Sequence, residues 1–240
     1  MSNYQKAIIS AVFLCAVGLL SFSISTNNEI LSHTVDLKKQ DLKFYWKNDT
    51  GEIMKSFKKL NAFLKTKNEK LVFAMNGGMY KTDHSPLGLY IEDGKKRSKV
   101  NGVKKGYGNF YMQPNGIFYI TDSNTAVICE TLDFKNEGVK YATQSGPMLL
   151  IAGKIHDKFK DGSKNLNIRN GVGILPNGSI VFGMSRGRIN FYDFASYFKS
   201  LGCENALYLD GFVSKTYLPS EGYNTLNGNF GVIIGEIEKK

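Results

Sequence analysis

The stretch Ala206-Leu207-Tyr208-Leu209-Asp210-Gly211-Phe212-Val213-Ser214 is the one to read first. Four apolar residues in a row read as a buried strand. The run ends on a carboxylate and a glycine, with a hydroxyl three residues further on. A strand that carries Asp210 to its end and then turns presents an acid for catalysis or ligand binding. The plain alternative is a turn, because Asp-Gly pairs are common turn formers. Upstream, Phe191, Phe194, Ala195, Phe198 and Leu201 recur at helical spacing. Asn190 and Asp193 resemble a capping pair before that helix, and Gly202 can end it. A helix therefore feeds the strand that delivers Asp210.

Working outward, the patterning is rich in strands. Loosely alternating residues from Ile30 to Trp46 suit two strands joined by a Lys-Lys-Gln-Asp turn. Ile53, Phe57, Leu60 and Leu64 mark an amphipathic helix. Leu71 to Met75 reads as a buried strand ending at Asn76-Gly77-Gly78-Met79-Tyr80, and a polar loop with His84 follows. Leu89-Tyr90-Ile91 is a strand that turns at Glu92-Asp93-Gly94. Residues 95–108, basic and dotted with glycine, read as a surface loop. Two Pro-Asn-Gly tripeptides, at 114–116 and 176–178, lie between apolar runs and each predict a hairpin. An apolar strand from Phe230 to Ile234 closes the chain. The class expected is α+β: a single domain with a strand-rich mixed sheet, hairpins and about two main amphipathic helices.

Composition agrees. The 240 residues are 42% hydrophobic and 12% aromatic, with 25 Gly and 5 Pro, which suits one globular domain. Lys6 precedes an apolar run from Ala7 to Ile24, with small Ser23 and Ser25 at its end and a polar stretch from Ser25 to Glu29 after it. Residues 1–26 thus read as a secretory signal, with an uncleaved membrane anchor as the alternative. Export is expected, to a periplasmic, envelope or secreted location, with membrane contact only through this segment if it stays. Cys129 and Cys203 lie beyond it and can pair in an oxidising compartment. The net charge of +10 comes from dispersed lysines, an ordinary solvated surface or an attraction to anionic partners. No nucleic-acid motif is present, and no nucleic-acid partner is expected.

Several established sites are missing from the sequence. There is no Gly-x-Ser-x-Gly elbow, no phosphate loop ending in Gly-Lys-Ser/Thr and no dinucleotide glycine fingerprint after a strand. The three histidines, His33, His84 and His156, are scattered. What recurs instead is a polar side chain just beyond an apolar strand: Asn76, Ser145, Arg169 and Asp210. Each has an ordinary reading as a turn residue or a surface ion pair. Together they offer an amide, a hydroxyl, a guanidinium and a carboxylate. Gly77, Gly78, Gly146, Gly171 and Gly211 would let backbone amides approach an anion. Asp210 could also hold a divalent cation such as calcium. No cofactor is required by the motifs.

In this order, Asn76-Gly77-Gly78-Met79-Tyr80, Ser145-Gly146-Pro147, Arg169-Asn170-Gly171-Val172-Gly173 and Leu209-Asp210-Gly211-Phe212-Val213-Ser214 resemble the phosphodiester glycosidase family. The similarity runs from about Val35 to Ile234. It places the family's strand-end asparagine on Asn76, its arginine on Arg169 and its Asp-Gly…Ser element on Asp210, Gly211 and Ser214. Two departures stand out: Phe212 and Val213 replace glycines, and Asn170 replaces a common threonine. The resemblance implies hydrolysis of a sugar-1-phosphodiester, or a phosphate-linked glycan, at the glycosidic bond. Arg169 would clamp the phosphate with backbone amides near Gly77 and Ser145, and Asp210 would act on the sugar side. Asn76, Ser145 and Ser214 would orient substrate beside Gly78, Gly146, Asn170 and Gly211. The competing classes are a non-catalytic binder of phosphate-linked envelope polymers and a phosphodiesterase that cuts the P–O bond.

Overall fold

Short strands, many of them apolar on both faces, make up most of the regular structure of this chain. The structure, a computed structural model, describes residues 30–210 and 213–239. The expected signal or anchor at residues 1–26, and Gly211 and Phe212, lie outside the described residues. In chain order the strands are β1 (Ile30–Val35), β2 (Asp41–Tyr45), β3 (Glu69–Asn76), β4 (Tyr90–Glu92), β5 (Lys95–Ser98), β6 (Gly116–Thr121), β7 (Ala126–Glu130), β8 (Val139–Ser145), β9 (Met148–Ile151), β10 (Lys154–Ile155), β11 (Asn170–Ile174), β12 (Ile180–Ser185), β13 (Ala206–Tyr208), β14 (Thr216–Tyr217) and β15 (Ile233–Lys239). The helices are α1 (Phe57–Thr66) and α2 (Phe191–Ser200).

The α+β class holds, and the strands resolve into three sheets rather than one. Their orders are β1-β12-β11-β13-β9-β10, β14-β3-β15-β2 and β5-β4-β8-β6-β7. Every named pairing is antiparallel. The three sheets enclose one central core, to which Leu31, Phe44, Phe73, Tyr90, Phe118 and Leu207 contribute from six strands. Each helix covers the outer face of one sheet. Phe57, Leu60 and Leu64 of α1 meet Leu71, Ala74 and Ile233. Phe191, Phe194 and Phe198 of α2 meet Leu149, Ala206 and Tyr208. Strand β13 is therefore buried on both faces, with Leu207 toward the central core and Ala206 and Tyr208 toward α2, and this is why its sequence reads as continuously apolar.

The face of the first sheet that receives α2 carries glycine. Gly171 of β11 pairs with Gly183 of β12, and Gly173 follows two residues on. A methyl group at Gly171 would lie 2.9 Å from the Leu207 carbonyl oxygen and 3.2 Å from Phe194. One at Gly173 would lie 2.8 Å from Phe198. Small residues on the sheet admit large rings from the helix. Asn190 caps α2 by accepting from Asp193 N at 2.9 Å, as its sequence suggested, and Gly202 follows with φ 79°.

Several expectations change. The first Pro-Asn-Gly does not form a hairpin. Residues 109–111 make a 3-10 turn, and β6 instead pairs with β7 and β8. The second forms the β11–β12 hairpin as expected. The first four residues of the basic loop are strand, because Lys95–Ser98 pairs with β4. The closing strand begins at Ile233 rather than Phe230, whose amide donates to Lys55 O. Ile53 precedes α1 and bridges Lys47. Cys129 and Cys203 are free thiols, Cys129 in β7 and Cys203 packed near Gly173 under α2. Burial pushes each thiol up to about 11.

The glycine-paved face makes a quantitative prediction. Gly171→Ala should destabilise the fold by about 1–3 kcal/mol in urea unfolding, through overpacking against a backbone oxygen. Gly187→Ala, with nothing within 4 Å of the added carbon, should stay within about 0.5 kcal/mol of the parent.

Candidate active site

Strand alternation sends Arg169 and Asn170 to opposite sides of β11. Asn170 is fully buried and uses its side chain as a four-way connector. Its Nδ2 donates to Asn76 O and to Asn76 Oδ1, both at 3.0 Å. Its Oδ1 accepts from the backbone N of Asp210 at 3.0 Å. Ser214 Oγ lies 3.2 Å from the same oxygen and also reaches Asp210 O, and its single proton can serve one of the two at a time. Asn76 Oδ1 also accepts from Lys215 N at 2.8 Å. Ser145 Oγ donates to Leu209 O at 2.5 Å. The ends of β3, β8, β11 and β13 thus converge, bringing Asn76, Ser145, Asn170, Asp210 and Ser214 into one network.

Only part of that network meets open space. A pocket of about 340 Å³ is lined by Asp210 and Val213, by Tyr80, Lys81 and Thr82, and by the segment 107–110. Asp210 is its only carboxylate and Lys81 its only cation among the described lining residues. Tyr80 stacks on His84 with ring centres 5.2 Å apart. Its hydroxyl donates to Asn229 O at 2.5 Å, and His84 Nε2 lies 2.7 Å from Asn229 Oδ1. Burial, and then the Asp210 charge, raise the Tyr80 phenol above its ordinary value. Tyr208 is pushed up to about 12 by burial, with Arg169 opposing and Asp210 adding to the rise. Both phenols are protonated at neutral pH.

Beneath the network the Asn76 Nδ2 is buried and has no hydrogen-bond partner among the described residues. The oxygen of the same amide takes both Lys215 N and Asn170 Nδ2, so the nitrogen's direction is fixed. A buried donor without a partner is costly, about 1–3 kcal/mol, and such orphans concentrate at functional sites.

Arg169 is placed differently from the phosphate clamp that the sequence suggested. It is fully buried and absent from the pocket wall. Its Nε donates to Ile189 O at 2.9 Å, Nη2 to Asn165 O at 2.8 Å and Nη1 to Tyr208 Oη at 3.2 Å. The guanidinium carbon lies 3.6 Å over the Phe191 ring, a cation–π contact. Phe191 continues a stack through Phe159, at 4.7 Å, to His156, at 4.8 Å. Arg169 is a positioning residue that ties α2 to Tyr208, two residues before Asp210.

The glycines are also explained by packing. Gly77 N donates to Val232 O at 2.9 Å, and an added methyl would lie 2.5 Å from Ile234. At Gly78 it would meet Thr143 Oγ1 at 2.5 Å, and at Gly146 the Asn115 side chain at 2.6 Å. No three His, Cys, Asp or Glu side chains lie together as a metal site among the described residues.

A family model of phosphodiester glycosidases matches residues 69–232, which contain this whole network. The chain belongs to the phosphodiester glycosidase family. It is 34% identical over 219 residues to YigE of Escherichia coli K12, an uncharacterized protein, covering 88% of this chain and 85% of that one. Among solved structures it resembles the zebrafish N-acetylglucosamine-1-phosphodiester alpha-N-acetylglucosaminidase catalytic domain, auto-inhibited by its pro-peptide. There the TM-score is 0.59 at 17% identity, over 88% of this chain and 84% of that one. A hypothetical protein from Synechocystis aligns with TM-score 0.51 and 14% identity, over 87% of this chain and 59% of that one. These structural likenesses concern the fold.

Within this family frame the residue-by-residue reading missed Tyr80, Lys81, Thr82 and the 107–110 segment as pocket wall. Their signal was position: Tyr80 to Thr82 continue directly from the strand-end motif at Asn76.

Two predictions follow from this geometry. Asn170→Ala leaves buried groups of Asn76 and Asp210 unpaired and should cost about 1–3 kcal/mol for each, read by urea unfolding. Parent-like stability would show that the connector is dispensable. His156 has a buried ring that accepts from Lys158 N at 3.2 Å, and burial lowers its pKa from 6.5. The neutral ring therefore contributes its full stability above 6.5, and that contribution is lost as pH falls below it. The urea midpoint should fall as the pH is lowered from 6.5, and less so in His156→Gln.

Proposed function

We propose that this protein is an exported hydrolase that cleaves a sugar-1-phosphodiester at the glycosidic C–O bond, releasing the sugar and a phosphomonoester. The observation that carries the reading is the pocket at the strand ends, in a chain of this family, whose wall holds one carboxylate and one ammonium. The leaving group is a phosphate ester, already a weak base, so little general-acid help is needed. The site has to hold the phosphate and stabilise positive charge at the anomeric carbon. Asp210 is the group that acts at that carbon, either as nucleophile or through a water. Lys81, exposed at the mouth, takes the phosphate contact in place of Arg169. The Asn170 network, with the Asn76 side-chain oxygen, holds the Asp210 backbone in place. The apolar segment from Ala7 to Ile24 supports export.

The test is release of reducing sugar from a synthetic sugar-1-phosphodiester in oxygen-18 water. Label on the sugar is expected. Label on the phosphate would make the protein a P–O phosphodiesterase, and no turnover would favour a binding protein. Asp210→Asn should lower kcat by at least about a hundredfold. Lys81→Ala should raise KM with little change in the unfolding midpoint. Arg169→Lys should do the reverse, lowering the midpoint through lost hydrogen bonds and cation–π contact.

A further inference from the structure

Four of the six exposed large apolar side chains among the described residues lie in one region: Val100 at 42%, Val103 at 54%, Tyr107 at 101% and Leu132 at 80% of full exposure. Three sit on the segment 99–108, which also carries Lys99, Lys104 and Lys105, all exposed, and no Asp or Glu. The segment directly follows β5, whose Lys95, Lys96 and Arg97 are exposed too. From Lys95 to Gly108 the chain therefore holds six cations and no acid.

This segment is held in place from beneath. The Gln144 carboxamide accepts from Asn101 N at 2.9 Å and donates to Asn101 O at 2.9 Å. The same amide nitrogen donates to Thr131 Oγ1 at 3.2 Å, fixing the neighbour of Leu132. Asn101 Nδ2 donates to Leu87 O at 3.1 Å. Further along, Gly106 packs so closely on the Tyr111 ring that an added methyl would lie 2.6 Å from it. Lys104 and Leu132 border one shallow hollow, with Glu130 as its acid. The apolar side chains are therefore displayed by an anchored backbone, and Tyr107 also lines the pocket at Asp210.

We propose that the segment 99–108, with Leu132, docks on the surface of an anionic lipid bilayer. Charge complementarity selects the occupant. Lysines meet the negative leaflet while valine, leucine and tyrosine enter the boundary between headgroups and acyl chains. A polyanion alone would use the cations and leave Val103 and Leu132 in water. Docking sets the mouth of the Asp210 pocket at the membrane surface. The inference does not rest on the reaction proposed above, because its readout is binding.

The full chain is sedimented with phosphatidylcholine vesicles and with vesicles holding about one-third phosphatidylglycerol. Stronger binding to the anionic vesicles is expected. Lys104→Glu/Lys105→Glu should weaken it at least about tenfold, because each lysine contributes near the surface. Val103→Asp should weaken it comparably. Lys38→Glu/Lys39→Glu, with the same change in net charge in the β1–β2 turn, should change it far less. Equal losses from both lysine pairs would reduce the effect to net charge and overturn the proposal. So would unchanged binding by Val103→Asp, or binding insensitive to every variant, which would assign it to the apolar segment at Ala7–Ile24. Turnover of a soluble sugar phosphodiester should be the same in all variants.

Discussion

The pocket depends on the buried side-chain amide of Asn170. Its two protons and two lone pairs reach Asn76, Asp210 and Ser214, which lie 94, 40 and 44 residues away along the chain. In water each of these groups would be solvated. Inside the protein each one left unpaired costs about 1–3 kcal/mol, comparable to a large part of a domain's net stability. Holding the Asp210 N–H fixes the backbone from which the carboxylate projects. A threonine at this place would have one hydroxyl proton and could not donate to both Asn76 oxygens. The asparagine thus joins two sheets through a single side chain.

Its neighbour Arg169 shows what the two-residue period of a strand does to function. Side by side in sequence, the two residues face opposite layers. Asn170 turns toward the seam with β3, and Arg169 turns toward α2. A buried guanidinium is costly unless its donors are satisfied. Here carbonyls of Asn165 and Ile189, the Tyr208 hydroxyl and the Phe191 face supply that environment. An arginine so enclosed cannot reach a phosphate in the pocket without giving up those partners. Its contacts lead through Tyr208 of β13 toward Asp210, two residues on.

Much of this was legible in the sequence, and the failures have physical causes. Helix α2, its Asn190 cap and β13 follow from local patterning, because each is decided by residues close in sequence. The two Pro-Asn-Gly tripeptides are locally alike, yet only the second makes a hairpin. Asn115 is buried and donates to Phe110 O at 3.1 Å, while Gly116 opens β6, whose partners are β7 and β8. Pairing of β6 with the two strands that follow it overrode the turn signal. Strand β5 is Lys-Lys-Arg-Ser, with no apolar period to reveal it. Of the strand-end residues singled out by the sequence, Asn76, Ser145 and Asp210 meet in one network, and Asn170 and Ser214 join them where Arg169 does not. The duties of Arg169 and of the glycines were not legible, because a glycine needed for packing and one needed by a ligand look the same in sequence.

The charge distribution in the pocket bears on the reaction proposed for it. Tyr80 and Tyr208 sense the Asp210 charge, and both are held protonated by burial. Asp210 is therefore the single negative charge that the described wall contributes. A phosphodiester brings a second one. Two anions in one small site are tolerable only if they face different parts of the substrate and a cation attends the phosphate. Lys81 at the rim and Asp210 at the strand end have that separation of roles. In the reaction proposed, the carboxylate would face the carbon on which positive charge develops, and the ammonium would attend the departing phosphate. Such a division favours breaking the C–O bond, since a carboxylate near a phosphorus centre would oppose attack there by charge repulsion.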